Sequence, residues 1–199
     1  MRIRLVVLIA ALVLAPPTRA EEQAPEAVIG DLYAALLLVM KRNDALSFAE
    51  RAEVLAPVLD RVYDFALMTR VAVGRPWGEL AADARARTID AFRRLSIATY
   101  ASRFASFDGE AFEVIGTRST DAGDVVVATR IVPDGEEPVA LDYLMRRGES
   151  GWRIADVYLT GTVSELATKR SEFAALLKQG GIEGLIAALR DKAEALARP

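Results

Sequence analysis

The order of apolar and polar positions divides the chain into a helical first half, a stranded middle and a helical end. From Val28 to Met40 only Gly30 and Asp31 are not apolar. Leu32, Ala35, Leu36, Val39 and Met40 share one side, and Tyr33, Leu37 and Leu38 widen the apolar surface almost around the axis. Residues 24–43 are therefore predicted to form a helix buried on several sides or facing a partner or ligand. Ser47-x-x-Glu50 is a capping-box pattern for a second helix reaching about Val62. A third runs from Asp64 to about Val73, where Gly74 fits the C-terminal cap and Pro76 prevents continuation. Residues 81–107 read as one long helix with Ile89, Phe92, Tyr100, Phe104 and Phe107 loosely on one side, interrupted by Arg93 and Arg103.

The period then falls to two. Phe112–Thr117, Val125–Val132, Val139–Arg146 and Trp152–Leu159 read as four strands, separated by turn signals at Asp108-Gly109, Asp121-Ala122-Gly123, Pro133-Asp134-Gly135 and Gly148 to Gly151. Connections this short favour an antiparallel meander. Strict alternation puts Val139, Leu141, Tyr143 and Met145 on one face of the third strand. In the fourth it groups Trp152, Ile154, Asp156 and Tyr158 against Arg153, Ala155, Val157 and Leu159. Thr162-x-x-Glu165 suggests a cap for a helix that carries Phe173 and Leu177 and stops at Gly180-Gly181. A last helix spans about Ile182 to Ala197. The expected fold is α+β, a four-stranded antiparallel sheet flanked by N-terminal and C-terminal helices.

The amino terminus has a different meaning. Arg2 and Arg4 precede an apolar run from Leu5 to Ala15, followed by Pro16-Pro17 and the small-residue pattern Thr18-Arg19-Ala20. This is the anatomy of a secretory signal, too short for an ordinary span of about 20 apolar residues. Cleavage after Ala20 is expected, leaving residues 21–199 as a single domain. Loss of three arginines leaves 22 basic against 28 acidic side chains, a net charge of −6. That balance argues against a nucleic-acid partner and against simple electrostatic attachment to anionic lipid.

The 199 residues contain no Cys and no His. Disulfides, Ser-His-Asp and Cys-His nucleophilic sites and His-based zinc sites are thereby excluded. No phosphate loop, dinucleotide fingerprint or nucleophile elbow is present, so no cofactor is expected. Asp156, within an apolar strand, is a candidate buried carboxylate, although such a residue more often pairs with Arg or caps a turn. Asp142 and Arg146 share a strand face and are a candidate ion pair. Arg70, close to Met68 and Trp77, suits a carboxylate, a lipid headgroup or a structural ion pair. Apolar stripes alone do not separate a filled core from a cavity.

Several segments taken together resemble the MlaC, or toluene-tolerance, family of periplasmic lipid-binding proteins. Tyr63 to Trp77 carries the family pattern at Asp64, Phe65, Met68, Arg70, Gly74 and Trp77. Further similarity lies in Phe92-Arg93-Arg94, in Gly151 to Val157, and in Arg170-x-Glu172-Phe173. Ser96 to Phe104, Pro138 to Leu144 and Ser164 to Arg170 look closer to the hopanoid-associated HpnM branch. The resemblance implies an apolar cavity between sheet and helices. It also implies a non-catalytic carrier, shuttling a hopanoid or phospholipid between an inner-membrane transporter and an outer-membrane lipoprotein complex. The residues expected to contact lipid are Leu36, Met40, Phe65, Met68, Phe92, Leu141, Tyr143, Met145, Trp152, Ile154, Phe173 and Leu177. The alternatives are a solid-core partner module and, more weakly, a lipid-acting enzyme using Asp142 or Asp156.

Overall fold

The computed structural model describes residues 23–42 and 45–198; the leading apolar run and the expected cleavage point lie outside them. The helical first half consists of α1 (Pro25–Lys41), α2 (Phe48–Val62), α3 (Phe65–Val73) and α4 (Ala82–Arg103), with a 3₁₀ turn at Arg75–Glu79. Pro25 opens α1, where its missing N–H costs nothing. Val28, Ile29, Leu32, Tyr33, Ala35, Leu36, Val39 and Met40 are buried, while Leu38 is exposed. The wide apolar face thus belongs largely to the core. Ser47 and Glu50 close a reciprocal capping box at the start of α2. Asp64 caps α3 by accepting the Leu67 N–H at 2.9 Å. Gly74 follows with φ 71°, a conformation a side chain would resist.

The sheet has five strands rather than four: β1 (Ala111–Ser119), β2 (Val125–Val132), β3 (Val139–Gly148), β4 (Gly151–Leu159) and β5 (Val163–Ser164), adjacent in that order and antiparallel. The extra strand is two residues long, too short for any alternation to announce it. It pairs with Tyr158 and Leu159 at one end of β4. Nearer the other end, Tyr63 bridges Ile154 and the Asp64 N–H donates to the Ile154 carbonyl at 3.0 Å. The outer edge of β4 is thus partly occupied at both ends, which limits the unpaired backbone it exposes.

The last helix, α5 (Glu165–Leu196), differs from expectation at its start and breaks in its middle at the expected Gly180-Gly181 stop. Ser164, not Thr162, is the cap, with its Oγ accepting the Ala167 N–H at 2.9 Å. Two helical segments meet at Gly181, whose φ 61° and ψ −159° lie in a region essentially reserved for glycine. The expected end of α4 also moves. Helical geometry stops at Arg103, leaving Phe104 and Phe107 in the following loop, packed against the core.

Helices α1, α2, α3 and α5 all contact the sheet, and α4 packs on α2, α3 and α5. Arg93, which breaks the apolar stripe of α4, reaches Asp60 of α2 through two N–H donors at 2.5 Å. No described helix is long and apolar enough to cross a membrane.

Candidate functional site

A bulge in β4 decides which side chains face the helices. Met145 pairs with Ile154 and Leu144 with Asp156, so Ala155 is the extra residue. The alternation expected for β4 is therefore broken. Ile154 stays inward beside Met145, but beyond the bulge the inward positions are Val157, opposite Tyr143, and Leu159, opposite Leu141. Asp156 and Tyr158 take the other face.

Between these inward strand residues and the helices lies a pocket of about 480 Å³. Its sheet wall is Ile131, Val139, Leu141, Val157 and Leu159. Tyr63, Phe65 and Met68 enter from the α2–α3 junction and α3. Phe92, Leu95, Ser96, Thr99, Tyr100, Arg103 and Phe104 come from α4 and its end, and Glu165, Leu166, Lys169, Lys192 and Leu196 from α5. The rings continue into the core, with Phe65 edge-on to Phe92 at 6.2 Å and Phe92 edge-on to Phe173 at 5.7 Å.

The polar groups along this wall are largely satisfied without a ligand. Ser96 Oγ donates to the Phe92 carbonyl at 2.9 Å and Thr99 Oγ to the Leu95 carbonyl at 2.7 Å, both back-bonds within α4. The Tyr63 and Tyr100 hydroxyls bond each other. Burial raises both phenols, that of Tyr100 to about 12, so they stay neutral. The charged residues of the lining are Arg103, Glu165, Lys169 and Lys192. Arg103 and Lys192 are exposed. Lys169 and Lys192 share Glu172, at 3.0 Å and 3.7 Å. The lysines and hydrogen bonding from Lys169 hold the Glu172 carboxyl below its usual range, against a desolvation that pushes the other way. This is an amphiphile's geometry, with an apolar interior and a charged, wet rim.

Of the residues expected at the site, Phe65, Met68, Phe92 and Leu141 line this pocket. Leu36, Met40, Tyr143, Met145, Ile154 and Phe173 are buried in the surrounding core, and Trp152 and Leu177 are half-buried against it. The sequence reading missed Leu95, Tyr100, Leu166 and Leu196. Leu95 lies three residues beyond Phe92, so extending that stripe by one helical turn would have found it. Val157 and Leu159 were hidden by the bulge.

The candidate carboxylates have other partners. Asp156 Oδ1 accepts the Leu166 N–H at 3.0 Å and the Val157 N–H at 2.7 Å, and Oδ2 accepts from Ser164 Oγ at 2.6 Å. It ties the start of α5 to β4. Arg146 pairs with Asp124 at 2.6 Å rather than with Asp142. That guanidinium holds the Asp124 carboxyl below the usual range.

Fold and pocket together define a class: an antiparallel sheet covered by helices, with a ligand-sized apolar recess opening at a charged rim. Residues 31–191 match the family model described as MlaC protein, and the chain belongs to that family. It is also similar to a solved phospholipid-binding protein from Ralstonia solanacearum, determined in complex with a phospholipid. The two share 27% identity and superpose with a TM-score of 0.76 over 90% of this chain and 100% of the other.

Proposed function

We propose that this protein is a periplasmic lipid carrier that takes the acyl chains of a phospholipid into the pocket and leaves the headgroup at its charged rim. The observation that carries this reading is the self-satisfied wall. Its hydroxyls are bonded to backbone or to each other, so an apolar chain enters without stranding a polar group. Each methylene withdrawn from water contributes about 0.8 kcal/mol, and about ten give roughly 8 kcal/mol before the cost of ordering the chains. The phospholipid held by the Ralstonia solanacearum protein supports the same class of cargo. The rim groups Arg103, Lys169 and Lys192 suit a phosphate. The role is carriage rather than catalysis, since the two carboxylates weighed for chemistry sit outside the pocket lining and Asp156 is engaged structurally.

Donor and acceptor complexes in the two membranes would load and unload the carrier by binding its filled or empty form more tightly. Native mass spectrometry of the protein from its own envelope, with the released ligand identified, tests the proposal. One phospholipid per chain is expected. A hopanoid in its place would assign the protein to the branch that the α4 and β3 segments resemble. A chain that stays free after incubation with both lipids would refute the carrier reading.

A further inference from the structure

Helix α3 has two working sides. Phe65 and Met68 face the lipid pocket, whereas Ala66, Leu67 and Arg70 line a second recess of about 420 Å³ behind it. The β3–β4 hairpin forms the opposite wall with Arg146, Arg147 and Arg153, and Trp77 completes the recess. Four guanidinium groups thus converge with one lining carboxylate, Asp64, which caps α3 and whose charge also acts on Arg146. Arg146 is neutralised by Asp124, and Arg147 has a partner of its own. Arg70 and Arg153 have no carboxylate within ion-pair distance among the described residues. This concentration stands out on a chain whose net charge is −3. Arg70 and Arg153 are like charges lining one recess, and an added anion would relieve their repulsion.

We infer that this recess is a docking site for an acidic peptide segment of a protein partner, with carboxylates on Arg70 and Arg153 and the chain against the Trp77 indole. Arginine forks match carboxylates in pairs, and arginine with tryptophan is the combination that dominates protein-binding energetics. The concave shape favours an extended segment over a membrane, because a flat bilayer surface does not reach into a recess. The net negative charge of the rest of the chain also opposes an anionic bilayer. The site is independent of whatever the lipid pocket holds.

The test is fluorescence anisotropy of a labelled hexa-aspartate peptide titrated with the full purified protein at low and physiological salt. Binding is expected to weaken with salt. It should fall at least tenfold in Arg70→Ala/Arg153→Ala, fall less in Arg70→Lys/Arg153→Lys, and stay unchanged in Arg94→Ala, which removes an exposed arginine elsewhere. Arg70 is exposed, so Arg70→Glu alone serves if the double variant does not fold. No binding by the wild type, or equal binding by the arginine variants, overturns the proposal. Arginine-dependent binding of phosphatidylglycerol vesicles without peptide binding overturns it in favour of a membrane site.

Discussion

Replacing Asp156 by alanine should destabilise the fold by about 3 kcal/mol, because one buried carboxylate closes the β4–α5 junction. The side chain accepts three hydrogen bonds and the residue is only 7% exposed. Bonds to an ionised acceptor are worth roughly 1.5–3 kcal/mol each, but the three share one group and do not add fully. The largest loss is at the N–H of buried Leu166, which keeps no side-chain acceptor. For a chain of this length each kcal/mol lowers Tm by about 2–4 °C, so alanine should lower it by about 6–12 °C. Asparagine keeps one carbonyl acceptor and should cost about half as much. Urea unfolding followed by circular dichroism gives the free energies, and a thermal scan gives Tm. An alanine variant within about 0.5 kcal/mol of wild type would refute the assignment of Asp156 as the clasp at this junction. The asparagine variant also separates carriage from catalysis: it should fold and hold the same lipid load, unaltered, as the wild type.

Other substitutions probe the pocket, the core and the electrostatics separately. Leu141→Asp, on the pocket wall, should leave a folded protein with reduced bound lipid, whereas Met145→Asp, fully buried four residues further along β3, should fail to fold; lipid extraction beside a circular dichroism spectrum reads both. Tyr143→Phe should be neutral or stabilising by about 1 kcal/mol, because the buried Tyr143 hydroxyl has no hydrogen-bond partner among the described residues; a loss above about 1 kcal/mol in urea unfolding would reject this. Gly181→Ala should cost about 1–3 kcal/mol through backbone strain alone, since a Cβ there meets no neighbour within 4 Å. The Asp124 carboxyl is depressed in the fold by hydrogen bonding to Arg146, so its stabilisation is complete above the unfolded value of about 3.9 and is lost as pH falls through the lower folded value. Half-exposed Arg146 limits the effect to about 1 kcal/mol, and the gap between wild type and Asp124→Asn in urea unfolding should close between pH 6 and pH 2.

The parts of the fold visible in the sequence were those with a local cause. The capping box at Ser47 and Glu50 is one turn of helix, the helix stop at Gly74 is one backbone angle, and the meander follows from short turns between strands of period two. The pocket has no such local cause. Tyr143 and Leu141 carry the same periodic signal on the same face of β3, yet Leu141 lines the recess and Tyr143 is packed behind it. What separates them is where the helices stand off from the sheet, a property of several elements at once that period alone does not encode. The bulge at Ala155 shows the same limit within one strand. One extra residue reverses every later side chain, moving Val157 and Leu159 to the pocket and Asp156 away from it, although alternation along β4 looks uninterrupted. The segment from Tyr63 to Trp77 carries both kinds of signal: Asp64 caps α3 and Arg70 and Trp77 wall the basic recess, whereas Phe65 and Met68 line the pocket. Many apolar side chains shape a cavity almost equally well, whereas a helix cap or a cluster of arginines depends on the chemistry of single positions.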